Sequence, residues 1–448
     1  MIENGLMIYL LELSGLTILF FRSVDSYRNR ELFTYSFNKL FKIIYFIYPL
    51  ALIFTLLVGI FLFVSHNNQN FDILFSASII CCCIIGFIKR SNDYFINYLE
   101  YDLEGLCMLC MVSLVLRSYF ATELLSSLIF IISIASGLEK LKCESWKPSG
   151  LALISFLTLP WQVRFGVRNN IRKFFSTHYK NRLIFRYVIQ SIQIFTPFGQ
   201  IISGAFLLIA VFYSQSLIIT NIMIISQILF ALALYLVADL HLIPFMQLWV
   251  VLNFYCSYSV NSLLPSASDP NNTIIVLSII YCLSFFVMAI IYTLISCPLN
   301  FHDRVSRFFS IFSLPVRPFS MFTLKTGSEI LTHCINRSDS VLLKNPYHTV
   351  HFTRYSRNLI NYLYSFDHFS LLRCKFLEEK SYANQLIYQQ QFNSIVNFIN
   401  SGEIYFYKHH WNQQRFVFHK SLYATLKVEM ISPGVQRIYF HKISAIIS

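Results

Sequence analysis

Long apolar runs recur along the first 300 positions of this chain, parted by short polar loops. Most approach the ~17–25 residues that a helix needs to cross ~30 Å of hydrocarbon. Charged residues do not recur within these runs at the helical spacing a soluble amphipathic helix would show, so a large water-soluble core does not explain them. The pattern predicts spans at 5–21, 43–64, 73–88, 104–116, 122–138, 187–212, 217–238, 240–258 and 273–296. The span at 104–116 is short and leaves room for an earlier start. Residues 150–161, from Gly150 to Trp161, are too few to cross and read as an interfacial or re-entrant helix.

Loop charge supplies an orientation. Loop 22–42 carries Arg22, Arg28, Arg30, Lys39 and Lys42, whereas 65–72 carries no Lys or Arg. Lys89 and Arg90 return to the basic side, and Lys140, Lys142 and Lys147 join them. Residues 162–186 hold seven Lys/Arg and no Asp/Glu. The alternation is consistent only if 150–161 does not cross, and it then puts the N-terminus outside and the C-terminal region in the cytoplasm.

Composition agrees with a membrane class: 56% hydrophobic, 13% charged, mean hydropathy +0.56. The formal net charge of +13 is uneven. Residues 301–448 contain 17 Lys/Arg against 8 Asp/Glu, and no Lys or Arg lies between Arg186 and Arg304. In such a chain this balance reflects cytoplasmic loops and anionic headgroups rather than nucleic acid. Seven of the 11 cysteines lie inside apolar runs, so no disulfide framework follows. Cys107 and Cys110 form a CxxC without a second pair, which argues against zinc or redox chemistry. Glu3, Glu12 and the Phe20-Phe21-Arg22 end of the first run are unlike a cleavable signal. The sequons at Asn271 and Asn336 carry no weight.

From residue 298 the pattern changes. Phe-rich amphipathic stretches are broken by Arg304, Arg307, Arg317 and Lys325, and nine of the 12 histidines follow residue 301. Segment 380–401 suits an amphipathic helix. Segments 403–408, 414–419 and 423–430 alternate as strands, with Ser432-Pro433-Gly434 as a turn before 435–441. The expected fold is an all-α polytopic membrane bundle over 1–297, with about nine spans and one short interfacial or re-entrant helix. A small basic α+β region over 298–448 follows it.

The most specific constellation runs from Ser136 to Gly150, directly after an apolar span. Gly137, the pair Lys140-Leu141, Trp146 and Gly150 resemble the membrane domain of vitamin K-dependent gamma-carboxylases, the HTTM domain. The similarity continues through Gln193 to Leu208, with Thr196-Pro197-Phe198 and Gly204, and through Asp239-Leu240-His241. In layout it covers 1–297. It implies an enzyme of carboxylase-like or other lyase or ligase chemistry, acting on a lipid-soluble, quinone-like or peptide substrate at the membrane interface. In that family the second lysine of a Lys-Lys pair is the base that deprotonates a reduced quinone. The matching position is Lys140, and Glu139 replaces the first lysine. A lysine serves as base where low dielectric disfavours its ammonium form, while an adjacent carboxylate works against that. The family's early functional histidine has no counterpart, since no histidine stands between His66 and His178, so glutamate carboxylation does not carry over. The family's large C-terminal region lies in the lumen, the opposite side from the one that loop charge assigns here.

Other readings stay open at this stage. Lys140, Lys142 and Lys147 also fit an interfacial cluster that snorkels to headgroups, and Trp146 an aromatic anchor. Asp239 and His241 could relay a proton at the mouth of a span or simply mark its hydrated end. Glu100, Asp102 and Glu104 could face Lys140 or form a solvated loop. His348, His351, His409 and His410 have no carboxylate or cysteine at ligand spacing, so they read as surface histidines and no metal is expected. No cofactor can be named. The rival functions are a transporter or channel component, which would need several buried charges, and a non-catalytic scaffold whose basic tail binds partners or anionic lipid.

Overall fold

In lipid every backbone N–H and C=O must be satisfied within its own segment, so long apolar runs become helices. The computed structural model describes residues 2–28, 39–65, 69–91, 98–142, 146–147, 153, 166–213, 217–237, 242–263, 272–291, 309, 311–314, 329–337, 402–412, 417–432 and 435–442. Ten helices are found among the described residues. They are α1 (Ile2–Arg28), α2 (Lys39–Ser65), α3 (Gln69–Arg90), α4 (Tyr98–Val115), α5 (Tyr119–Lys142), α6 (Gly166–Asn181), α7 (Leu183–Tyr213), α8 (Leu217–Val237), α9 (Ile243–Leu263) and α10 (Asn272–Ile290). Five stretches among them are long and apolar enough to cross a membrane: Leu6–Val24, Leu40–Leu62, Asp72–Arg90, Tyr119–Lys142 and Asn272–Ile290. This is the architecture expected of a polytopic membrane protein.

The chain divides into two compact units. The first comprises Met1–Lys140 and Thr196–Met321. Its core joins Leu16 of α1, Leu52 of α2, Ile79 of α3, Leu106 and Met108 of α4, Phe130 of α5 and Trp249 and Phe254 of α9. Trp249 donates its indole N–H to the Leu11 carbonyl at 2.9 Å, tying α9 to α1. Within the apolar stretch of α5, 72% is buried, against 17% for α10, so α5 is a central helix and α10 a peripheral one. Large apolar side chains such as Phe54, Phe61, Ile73 and Leu277 face outward. An apolar exterior of this extent suits hydrocarbon and would aggregate in water.

Helices α4 and α5 form a tight hairpin at Leu116–Ser118. Arg117 takes the left-handed conformation with φ 58°. The Ser118 amide donates to the Ser113 carbonyl at 3.0 Å, and the hydroxyls of Ser113 and Thr122 share a bond at 2.8 Å. These bonds satisfy groups that the end of α4 would otherwise leave open. The exposed Arg117 guanidinium reaches back to buried Glu12 of α1 at 3.4 Å.

The second unit comprises Leu141–Phe195 and Phe322–Ser448. It contains α6, the first turns of α7 and a four-stranded antiparallel sheet in the order β1 (Glu329–Arg337), β2 (Gly402–Asn412), β3 (Val417–Ser432), β4 (Val435–Lys442). Ser432 pairs with Val435, so β3 and β4 are joined by a two-residue connection at Pro433-Gly434. The register slips between Met430 and Ser432, and Ile431 at that irregularity is exposed. The expected helix at 380–401 lies outside the described residues.

Candidate functional site

Lys140 stands in the last turn of α5 and is 3% exposed. Lys142 and Lys147 are exposed. The three lysines therefore do not form one snorkelling cluster: two reach outward and the third is enclosed. Its Nζ donates to Ser136 Oγ at 2.7 Å and to Gln200 Oε1 at 2.9 Å. Ser136 sits one turn earlier on the same helix face. Gln200 comes from α7, one turn past Pro197, whose ring removes one backbone donor from the otherwise continuous helix.

Two glycines let α5 and α7 approach closely enough for that bond. A Cβ on Gly137 would lie 2.7 Å from the Pro197 carbonyl oxygen and from Ile201. One on Gly204 would lie 2.7 Å from the Phe130 carbonyl oxygen. Each helix thus lays backbone against the other's glycine, the packing that small residues allow in membranes. Ser133 adds a bond to the Gln200 carbonyl at 3.3 Å.

Polar groups continue from this point. Ser203 Oγ donates to the Gln200 carbonyl at 3.2 Å and accepts from Gln227 Nε2 of α8 at 3.3 Å. Gln247 Nε2 of α9 donates to Gln227 Oε1 at 3.0 Å. A ladder of amides and hydroxyls therefore links α5, α7, α8 and α9 within the first unit. Asp239 and His241 lie outside the described residues.

A second polar centre is ionic. Glu104, at the start of α4, is fully buried and takes Lys89 Nζ at 3.1 Å, Arg22 Nε at 3.1 Å and Arg90 at 4.0 Å. Lys89 also donates to Ser26 Oγ at 3.2 Å and lies over the rings of Tyr45 and Tyr48. Arg90 donates to the Ile311 carbonyl and to Ser313 Oγ, each at 2.9 Å. Asp102 is buried too. The acidic group before the expected fourth span is therefore not a solvated loop at Asp102 and Glu104, and Glu104 is engaged by cations from α1 and α3.

In the second unit, Trp146 is buried, and Gln193 fixes the backbone that follows it. The Gln193 amide donates to the Lys147 carbonyl at 2.8 Å and accepts from the Leu153 amide at 3.0 Å. Cys107 and Cys110 lie in the apolar core with free thiols. His409 and His410 fall on β2, where the register sets His410 opposite both Glu329 and His419, a proximity that sequence spacing does not reveal. No group of three or more potential metal ligands is found among the described residues. His348 and His351 lie outside them.

Gln200, Gln227 and Gln247 are the site residues that sequence patterning passes over. The available signal is that each of the three runs carries amides among apolar residues, Gln200 beside Gln190 and Gln193, Gln227 beside Asn221 and Gln247 beside Asn253, and hydropathy averages them away. Compared with protein-family models, with curated proteins and with solved structures, the chain matches none.

Proposed function

We propose that this chain is a nine-span membrane enzyme of the HTTM type, in which α4, α7, α8 and α9 cross along with the five most apolar helices and Lys140 accepts a proton from a substrate at the cytoplasmic interface. The small C-terminal region is a cytoplasmic α+β module on this reading. The supporting observation is the seat of the Lys140 amine, which is enclosed and donates to Ser136 Oγ, to Gln200 Oε1 and, at 3.5 Å, to the Ser136 carbonyl. A neutral amine keeps two N–H donors, enough for the short bonds to Ser136 Oγ and Gln200 Oε1, so deprotonation gives up the long contact with the Ser136 carbonyl rather than either of these. A buried lysine so placed is suited to general-base work.

Two experiments test this. Deletion of the gene defines a change in membrane lipid or peptide products by mass spectrometry. Complementation with Lys140→Ala or Lys140→Arg is expected to leave that change uncorrected, with a loss of about 100-fold or more in product, in the range general-base catalysis contributes. Both variants are expected to accumulate in the membrane like the wild type, and full complementation by Lys140→Ala would remove the catalytic reading. Reporter fusions after residues 68, 180 and 448 are expected to report outside, inside and inside; an outside signal at 448 would overturn the orientation.

A further inference from the structure

Helix α6 and the start of α7 present a surface that the Lys140 reading does not use. Their aromatic rings meet: Phe174 and Phe185 have centroids 6.0 Å apart, Phe175 and Phe185 5.6 Å, and His178 and Phe185 5.7 Å. Eleven residues along a straight helix would separate Phe174 from Phe185 by about 16 Å. The chain therefore bends at Arg182, and α6 lies across the entry of α7 rather than continuing it. Tyr179 is buried in this corner, and burial pushes its hydroxyl above the usual range, with the Arg186 guanidinium opposing.

The outer side of the corner carries two kinds of side chain. Lys173, Lys180 and Arg182 are exposed, and no carboxylate among the described residues pairs with any of them. Beside them Phe174 is 50% exposed, Ile184 79% and Tyr187 60%, with Leu183 and Val188 also outward. Cations on a helix that turns into apolar side chains at the mouth of a span match a bilayer interface, with headgroups at the level of the cations and acyl chains below. Residues 162–186 add Arg164, Arg168 and Arg172 with no acid, so the complementary surface is anionic.

We infer that α6 is an interfacial helix that gathers anionic phospholipid, with Lys173, Lys180 and Arg182 holding the phosphate headgroups and Phe174 and Ile184 in the acyl boundary. This rests on α7 crossing the membrane but not on Lys140 being catalytic. The test uses the full chain in nanodiscs of phosphatidylcholine mixed equally with phosphatidylglycerol. A photo-crosslinking residue at exposed Ser176 reports the lipid beside α6, and mass spectrometry identifies the adduct. Phosphatidylglycerol adducts are expected to dominate and to fall as salt rises. The variant Lys173→Gln/Lys180→Gln/Arg182→Gln is expected to lose about tenfold or more of that preference. Its thermal unfolding in phosphatidylcholine alone should match the wild type. Equal labelling of both lipids by the wild-type chain would overturn the proposal, as would an unchanged preference in the variant. If the triple variant does not accumulate, the salt dependence of the wild-type preference decides: a preference insensitive to salt overturns it. A failed Lys140 experiment leaves all of these results in place.

Discussion

Glu104→Gln is expected to destabilise the first unit by about 3–5 kcal/mol, the range seen when one partner of a buried ion pair is removed. Glutamine keeps the shape of the side chain and removes only its charge. Lys89 and Arg90, both fully enclosed, would then lose the carboxylate that faces them at 3.1 and 4.0 Å. Arg22 retains partial access to solvent, so Arg22→Gln is expected to cost less. Thermal unfolding of the detergent-solubilised variants measures both. A double variant, Glu104→Gln with Lys89→Met, should recover part of the loss, because it removes a charge that the first change stranded. Full stability of Glu104→Gln would show that the charge of Glu104 does not hold the cluster together.

The same cluster gives a reason for the position of the 311–314 turn. Arg90 spends its donors on the Ile311 carbonyl and Ser313 Oγ, and Tyr281 of α10 donates to the Phe312 carbonyl at 2.7 Å. Ser313 holds a left-handed φ of 60° and packs against Gly105 of α4. The ends of α3 and α4, the middle of α10 and the chain beyond it are thereby joined through polar groups. In a membrane, where helices gain little from apolar burial against one another, such bonds add to close packing in holding helices together.

The apolar helices were legible because hydropathy is a local property. The expected spans at 43–64 and 73–88 fall inside α2 and α3, which begin at Lys39 and Gln69 and end at Ser65 and Arg90. The helix at the expected span 104–116 begins earlier, at Tyr98, because Asp102 and Glu104 read as water-seeking in one dimension. Their burial depends on cations from positions 22, 89 and 90, which only the folded arrangement brings together. Lys140 shows the same division. Its Ser136 partner is one helical turn away and visible in the spacing, whereas Gln200 is 60 positions on. The alternation of loop charge puts Lys89 and Arg90 on the basic side, and the fold encloses both. A cation at a span end can satisfy the charge rule while bonding only to protein.

The approach of α5 to α7 makes a sharper prediction, because three glycines on these two helices face different surroundings. Gly204→Ala places a methyl 2.7 Å from the Phe130 carbonyl oxygen and 2.6 Å from Ile134, and Gly137→Ala meets the Pro197 carbonyl at the same 2.7 Å. Ile134 can shift its side chain, but a backbone oxygen cannot move without its helix. Each substitution is therefore expected to cost about 1–3 kcal/mol as overpacking, with valine worse than alanine. At Gly199, on the same helix as Gly204, an added methyl would meet nothing within 4 Å. Gly199→Ala is expected to be neutral or to stabilise by up to about 1 kcal/mol, since alanine favours the helix. Thermal unfolding of the three alanine variants separates steric contact from helix propensity. Pushing α5 from α7 also stretches the Lys140–Gln200 bond, so Gly137→Ala and Gly204→Ala should impair complementation where Gly199→Ala does not. Equal behaviour of Gly199→Ala and Gly204→Ala in both assays would show that the close contact neither supports the bundle nor positions the lysine.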